Sequence, residues 1–133
     1  MSANNGIGVK AMIVRDGKLL LLKRSMKASH NPGQWDIPGG RLDPGEGHKE
    51  GLSREILEET GLKVEISNPL SVDSFMRQDG QHIVMIIFLC RPASGEIKLS
   101  EEHTEFKWVE INKGELPGWL KPAAETYKKH FSD

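Results

Sequence analysis

The stretch Gly40 to Leu62, GRLDPGEGHKEGLSREILEETGL, decides how this chain is read. If residues 48–60 form a helix, Glu58 and Glu59 stand three and four residues beyond Glu55, so three carboxylates leave one face within a turn of each other. Each like-charge pair costs a helix a few tenths of a kcal/mol. Glu58 and Glu59 also fall in the last turn, where the negative end of the helix dipole disfavours anions. Local rules broken together are the mark of a functional site. A divalent cation with oxygen ligands, Mg2+ or Mn2+, would offset the repulsion, completing its shell with water and substrate phosphate. Three glutamates alone would equally suit a solvated acidic helix face. What surrounds them tips the balance.

Gly40, five residues, Glu46, seven residues, Arg54-Glu55-Ile56, one residue, Glu58-Glu59, one residue and Gly61-Leu62 fill every fixed position of the Nudix signature. The chain therefore resembles a MutT-type Nudix hydrolase, and the resemblance extends over most of its length. It implies an α/β/α sandwich, a mixed sheet between two or three helices, with the box as loop, helix and loop. The implied reaction is hydrolysis of a diphosphate bond in a nucleoside diphosphate linked to a group X, giving a nucleoside monophosphate and P-X. The implied metal ligands are Glu55, Glu58, Glu59 and the Gly40 carbonyl, holding one to three Mg2+ ions. Arg54 would orient a glutamate, and Glu46 would brace the loop against the helix. Relatives often supply a further catalytic glutamate from a loop ahead of a tryptophan that corresponds here to Trp108. Glu102 fits that spacing best as catalyst and ligand, with Glu101 and Glu105 as rivals; Glu102 or a box glutamate would take the proton from water. Loss of catalysis in the family is commonly marked by broken box glutamates, and here all are present, which argues against a silent binding module.

Composition bounds the rest. At 133 residues, 37% hydrophobic and 28% charged, the chain is expected to be one domain, 1–133, with its own core. A net charge of −1, with 18 Lys and Arg spread along the chain, gives no basic field for a nucleic-acid polymer but leaves room for a small nucleotide. The lone Cys90 lies in the apolar run IVMIIFLC and reads as a small core residue. The sequence shows neither a signal peptide nor an apolar run long enough to span a membrane, so a cytoplasmic location without membrane partners is expected. Monomer and homodimer both stay open.

Along the chain, residues 1–5 read as loose. Ile7–Val14 and Lys18–Lys23 read as strands around an Asp16-Gly17 hairpin turn, and LLLLK looks buried on both faces. Ser25–Gln34 is a loop by composition, which makes Arg24 and His30 candidates for phosphate or base. Trp35 opens a short strand and is either a nucleobase platform or a core plug. Leu52 and Ile56 form an apolar stripe beside the acids, and Gly61 caps the helix. Gly51 is costly in mid-helix, about 1 kcal/mol against alanine, and close packing of the preceding loop would explain it. Arg54 could reach Glu50 four residues back or lean on the glutamates. Lys63–Ile66 and Val72–Arg77 read as two strand segments around Asn68-Pro69. His82–Cys90 reads as a central strand, Pro92–Glu96 as a loop, Ile97–Leu99 as a possible short strand, Ser100–Glu105 as unstructured and Phe106–Ile111 as a strand. A helix opened by Pro122 closes the sheet.

Substrate clues are sparse. Arg77-Gln78-Asp79 lacks the proline typical of ADP-ribose enzymes and the tyrosine typical of dinucleoside polyphosphate enzymes, which favours a nucleoside triphosphate over an ADP-ribose or nucleotide-sugar substrate. In Pro122-Ala123-Ala124-Glu125, alanine stands where well-known members place a base-reading asparagine, which argues against strong preference for oxidised guanine.

Overall fold

The computed structural model describes residues 5–131, so most of the amino-terminal 1–5 segment lies outside the described residues. β1 (Asn5–Arg15) and β2 (Lys18–Arg24) form the expected hairpin, Val14 opposite Leu19 and Arg15 opposite Lys18. Asp16 and Gly17 both take positive φ, 52° and 76°. That twist matches the strands, and Asp-Gly is a pair that tolerates it.

β2 is buried on both sides, as its LLLLK run implies, because alternate leucines enter two different cores. Leu19 and Leu21 pack with Met12, Val14, Ile87, Leu89, Ala123 and Tyr127; Leu20 and Leu22 pack with Val9, Ala11, Ile13, Leu52, Ile56 and Cys90. The period-two alternation of strand side chains thus sorts one apolar run into two layers. α1 (His48–Thr60) covers the second face through Leu52 and Ile56, and α2 (Lys121–His130) covers the first through Ala123, Ala124 and Tyr127.

Among the described residues the sheet runs β3-β2-β1-β6-β5, with β4 added on β1 and β7 on β2. β3 is Trp35–Asp36, β4 Gly39–Arg41, β5 Lys63–Met76, β6 His82–Ser94 and β7 His103–Glu110. β1 and β6 pair in parallel while the other ladders are antiparallel, so the sheet is mixed. The fold is the α/β sandwich expected from the resemblance.

Four local readings are corrected. The two segments around Asn68-Pro69 are one strand, β5, whose pairing slips on either side of Pro69. A proline lacks the N–H for the ladder, and a bulge carries the strand past it. β6 does not stop before Pro92: it continues to Ser94, where Val64 faces Pro92 and Lys63 faces Ser94. Ile97–Leu99 forms no strand, and Lys98 instead donates its N–H to the Thr60 carbonyl at 2.8 Å. β7 begins at His103, three residues before the expected start, because it pairs along the whole of β2. No helix among the described residues is long and apolar enough to cross a membrane.

Candidate active site

The box folds as loop, helix and loop around one arginine. Arg54 donates from Nε to Glu46 Oε2 at 2.8 Å and from Nη2 to Glu46 Oε1 at 3.0 Å, a two-pronged grip. It also donates to Glu55 Oε1 at 3.1 Å and stands 3.6 Å from both Glu58 and Asp43. It leans on the glutamates and not on Glu50. Glu46 also accepts the Asp43 N–H at 3.0 Å, so the loop is strapped to the helix. The Arg54 guanidinium, aided by the Asp43 N–H, holds the Glu46 carboxyl well below the usual range, at about 2. Gly51 is explained by the same strap. A Cβ there would run into Leu42 Cδ2 and stand 2.8 Å from Glu46 Oε1.

The Gly39-Gly40 turn faces the acids. Gly39, at φ 151°, passes so close to β1 that a Cβ would collide with the Val9 carbonyl and stand 2.7 Å from Lys10 Cα. Only glycine allows that approach. Its N–H donates to Glu59 Oε2 at 3.1 Å. A Cβ at Gly40 would lie 2.7–2.9 Å from the carboxyl atoms of Glu55. Backbone turn and carboxylates are therefore in direct contact.

Glu102 reaches the same place from the far end of the chain. The Ser100 N–H donates to the Glu59 carbonyl at 3.4 Å and the Ser25 N–H to the Glu102 carbonyl at 2.9 Å, which ties its loop to α1 and to the end of β2. Burial pushes the Glu59 carboxyl up to about 8, with the charges of Glu55 and Glu102 adding to the rise and the Gly39 N–H and Lys10 opposing it. Glu55 is raised for the same chief reason, burial, with Glu58 and Glu102 adding their charge against Arg54. Glu58 is the outlying member, its side chain 60% exposed and turned to Arg54. Among the described residues no three acidic, histidine or cysteine side chains enclose a metal by themselves. The donor set still suits a hard cation: oxygen alone, crowded carboxylates whose ionisation is opposed, and a glycine turn against which a Cβ would clash.

A cleft of about 430 Å3 is lined by the aromatic rings of Trp35, Trp119 and Phe75 together with the charged groups of Lys10, Arg24 and Asp36. Trp35 packs against the α2-side core and also lines this cleft. Lys107 lies over its ring at 4.1 Å. Arg24 also lines a second, smaller cleft with Ser25, Lys27, Ser29, Glu101 and Glu102. His30 is exposed and contributes its backbone carbonyl, which accepts the Arg24 Nε–H at 2.7 Å.

Four residues near the acids escaped sequence reasoning. Lys10 and Asp36 form an ion pair at 2.5 Å across 26 residues, and Asp36 Oδ2 stands 3.5 Å from Arg24. Lys10 interrupts an apolar strand, the one signal that could have drawn notice. His103 is buried with Nδ1 lacking a partner, its pKa lowered by burial and by the charge of Arg24. Trp119 is 45% exposed at the cleft, where a large exposed aromatic is a binding signal. Ala123 and Ala124 are buried in the core, and neither lines the cleft.

Sheet, box and clefts together define a Nudix-type hydrolase fold. The NUDIX domain model matches residues 5–131, and the chain belongs to this family. It is 33% identical to a MutT-like protein of Streptomyces ambofaciens over 79% of this chain, a match that spans 64% of that protein. It is 36% identical to the nucleoside triphosphatase NudI of Escherichia coli K12 over 74% of this chain and 77% of the relative. The solved MutT protein of Methanosarcina mazei Go1 superposes with a TM-score of 0.83 at 31% identity, covering 100% of this chain and 99% of that one.

Proposed function

We propose that this protein hydrolyses a diphosphate bond in compounds of the form nucleoside diphosphate-X with the help of Mg2+ or Mn2+. The proposed substrate is a nucleoside triphosphate, giving a nucleoside monophosphate and pyrophosphate. One observation carries the reading: an aromatic-lined cleft of about 430 Å3 adjoins the carboxylates gathered at the Gly39-Gly40 turn. Aromatic faces suit a nucleobase, and the acids suit the cation that accompanies phosphates. The E. coli relative, by its name a nucleoside triphosphatase, points to the same substrate class.

Glu55, Glu58, Glu59, Glu102 and the Gly40 carbonyl would hold the cation. When bound it supplies charge neutralisation at the diphosphate and acidity toward water. Arg54 fixes the loop and Glu55 through its contacts to Glu46 and Glu55. Arg24, gripped by the His30 carbonyl, is placed to meet phosphate at the wall shared by both clefts. Trp35 offers its cleft-facing surface to the base. Glu102 or a box glutamate would take the proton of the attacking water, whose oxygen bonds to phosphorus as a P–O bond of the diphosphate breaks. Phosphoryl transfer asks mainly for position and charge stabilisation. Covalent catalysis by the lone thiol fits poorly, because burial pushes Cys90 up to about 12.

The test is phosphate release with Mg2+, coupled through inorganic pyrophosphatase and phosphatase, across nucleoside triphosphates, ADP-ribose, nucleotide sugars and dinucleoside polyphosphates. Triphosphates should be cleaved with efficiency well above the rest. Faster cleavage of ADP-ribose or a nucleotide sugar would overturn the substrate, and no metal-dependent cleavage of any of them would overturn the reading.

A further inference from the structure

Lys10 interrupts the apolar run of β1 and lines the cleft. Its side chain is 18% exposed and pairs with Asp36, which also faces Arg24 at 3.5 Å. Lys10 and Arg24 share the Asp36 carboxylate at the wall of the cleft, which Asp73 also lines. Of the three donors on Lys10 Nζ, Asp36 Oδ1 takes one at 2.5 Å, so the ammonium can still meet an anion from the cleft. Among the described residues no ion pair joins Lys10 to Glu59.

Position narrows what such an anion would be. On one side Lys10 Nζ lies 5.1 Å from the ring centre of Trp119, which lines the same cleft. On the other, Lys10 is the ladder partner of Gly39, whose N–H holds Glu59. Lys10 therefore stands on the border between the nucleoside cleft and the carboxylates. A nucleotide laid from one to the other has its first phosphate at that border.

We infer that Lys10 is a substrate-binding residue that grips the phosphate attached to the nucleoside, the one retained in the monophosphate product, and that Asp36 positions it. This rests on the functional reading above. A lysine ammonium binds phosphate as a point charge with three donors. Asp36, itself anchored by the Ile37 N–H at 2.8 Å, keeps that ammonium from collapsing onto Glu59.

The experiment compares wild type, Lys10→Met and Lys10→Arg. With EDTA present, each is titrated by NMR with the nucleoside monophosphate of the best-cleaved triphosphate, with the matching uncharged nucleoside, and with pyrophosphate. Lys10→Met should bind the monophosphate about 10- to 100-fold more weakly, bind nucleoside and pyrophosphate as wild type does, and recover most of its monophosphate affinity as Lys10→Arg. Lys10→Met/Asp36→Asn, which buries no unpaired carboxylate, should show the same selective loss and covers the case in which the single variant folds poorly. Equal loss of nucleoside and monophosphate would make Lys10 a support for the cleft and overturn the inference, as would unchanged monophosphate binding. Wild-type protein that binds neither nucleotide nor nucleoside would instead overturn the functional reading on which the inference stands.

Discussion

Replacing Glu59 by glutamine gives a prediction in which sign and size both follow from the structure. Glu59 is 4% exposed, holds the Gly39 N–H at 3.1 Å, and its carboxyl is pushed from 4.5 up to about 8. In metal-free protein at neutral pH the native state therefore keeps a proton that the unfolded chain has released. Below pH 4.5 both states are protonated and nothing is lost; as pH rises toward 8, native stability falls by ~1.4 kcal/mol per unit, a cumulative loss of ~3 kcal/mol at pH 7 and on the order of 5 kcal/mol above pH 8. Glutamine keeps the shape and the N–H acceptor but has no such titration. Urea unfolding in EDTA should show wild type and Glu59→Gln level at pH 4.5 and the variant more stable by several kcal/mol at pH 8.5. With Mg2+ at about a hundred times its Kd, wild type should gain ~2.7 kcal/mol and the variant little, while its turnover collapses. A wild-type-to-variant difference in EDTA that does not change between pH 4.5 and 8.5 would refute the buried-carboxylate argument.

Other substitutions probe separate parts. Glu58→Gln should fold normally, since the side chain is 60% exposed, yet lose turnover by at least about 100-fold; comparable turnover at saturating Mg2+ would remove Glu58 from the metal site. Trp119→Ala should raise KM for the nucleotide about tenfold or more through lost stacking with circular dichroism unchanged. Leu20→Ala removes a fully buried side chain from the α1-side core and should cost about 2–5 kcal/mol in urea unfolding, with KM of the surviving folded protein unaltered.

The elements whose causes are local were readable. The Asp16-Gly17 turn, the two-sided burial of the leucine strand and the limits of α1 depend on residues near in sequence, and each appears where expected; the grip of Arg54 on Glu46 was not foreseen. Gly51 shows how far such reasoning goes: its cost to the helix was visible, and the Leu42 and Glu46 atoms that demand it followed from packing. The misread stretches depend on distant partners. β6 runs on to Ser94 because β5 lies alongside it, and β7 starts early because β2 offers ladder positions down to Arg24. Composition alone, with Pro92 or three acids in view, argues for loops in both places. The cleft was hidden for the same reason. Lys10, Asp36 and Trp119 come from three separate parts of the chain, and none belongs to a motif. Their meaning arises only when a 26-residue gap closes into an ion pair and a tail tryptophan meets the cation.

The proposed reaction is cleavage of a nucleoside triphosphate between its first and second phosphates, at the carboxylates of the Gly39-Gly40 turn. It is tested by 31P NMR of purified protein with a nucleoside triphosphate, run with Mg2+ and again with EDTA. Equal amounts of nucleoside monophosphate and pyrophosphate are expected with Mg2+, and neither with EDTA. Nucleoside diphosphate and orthophosphate as first products, or cleavage that persists in EDTA, would contradict it.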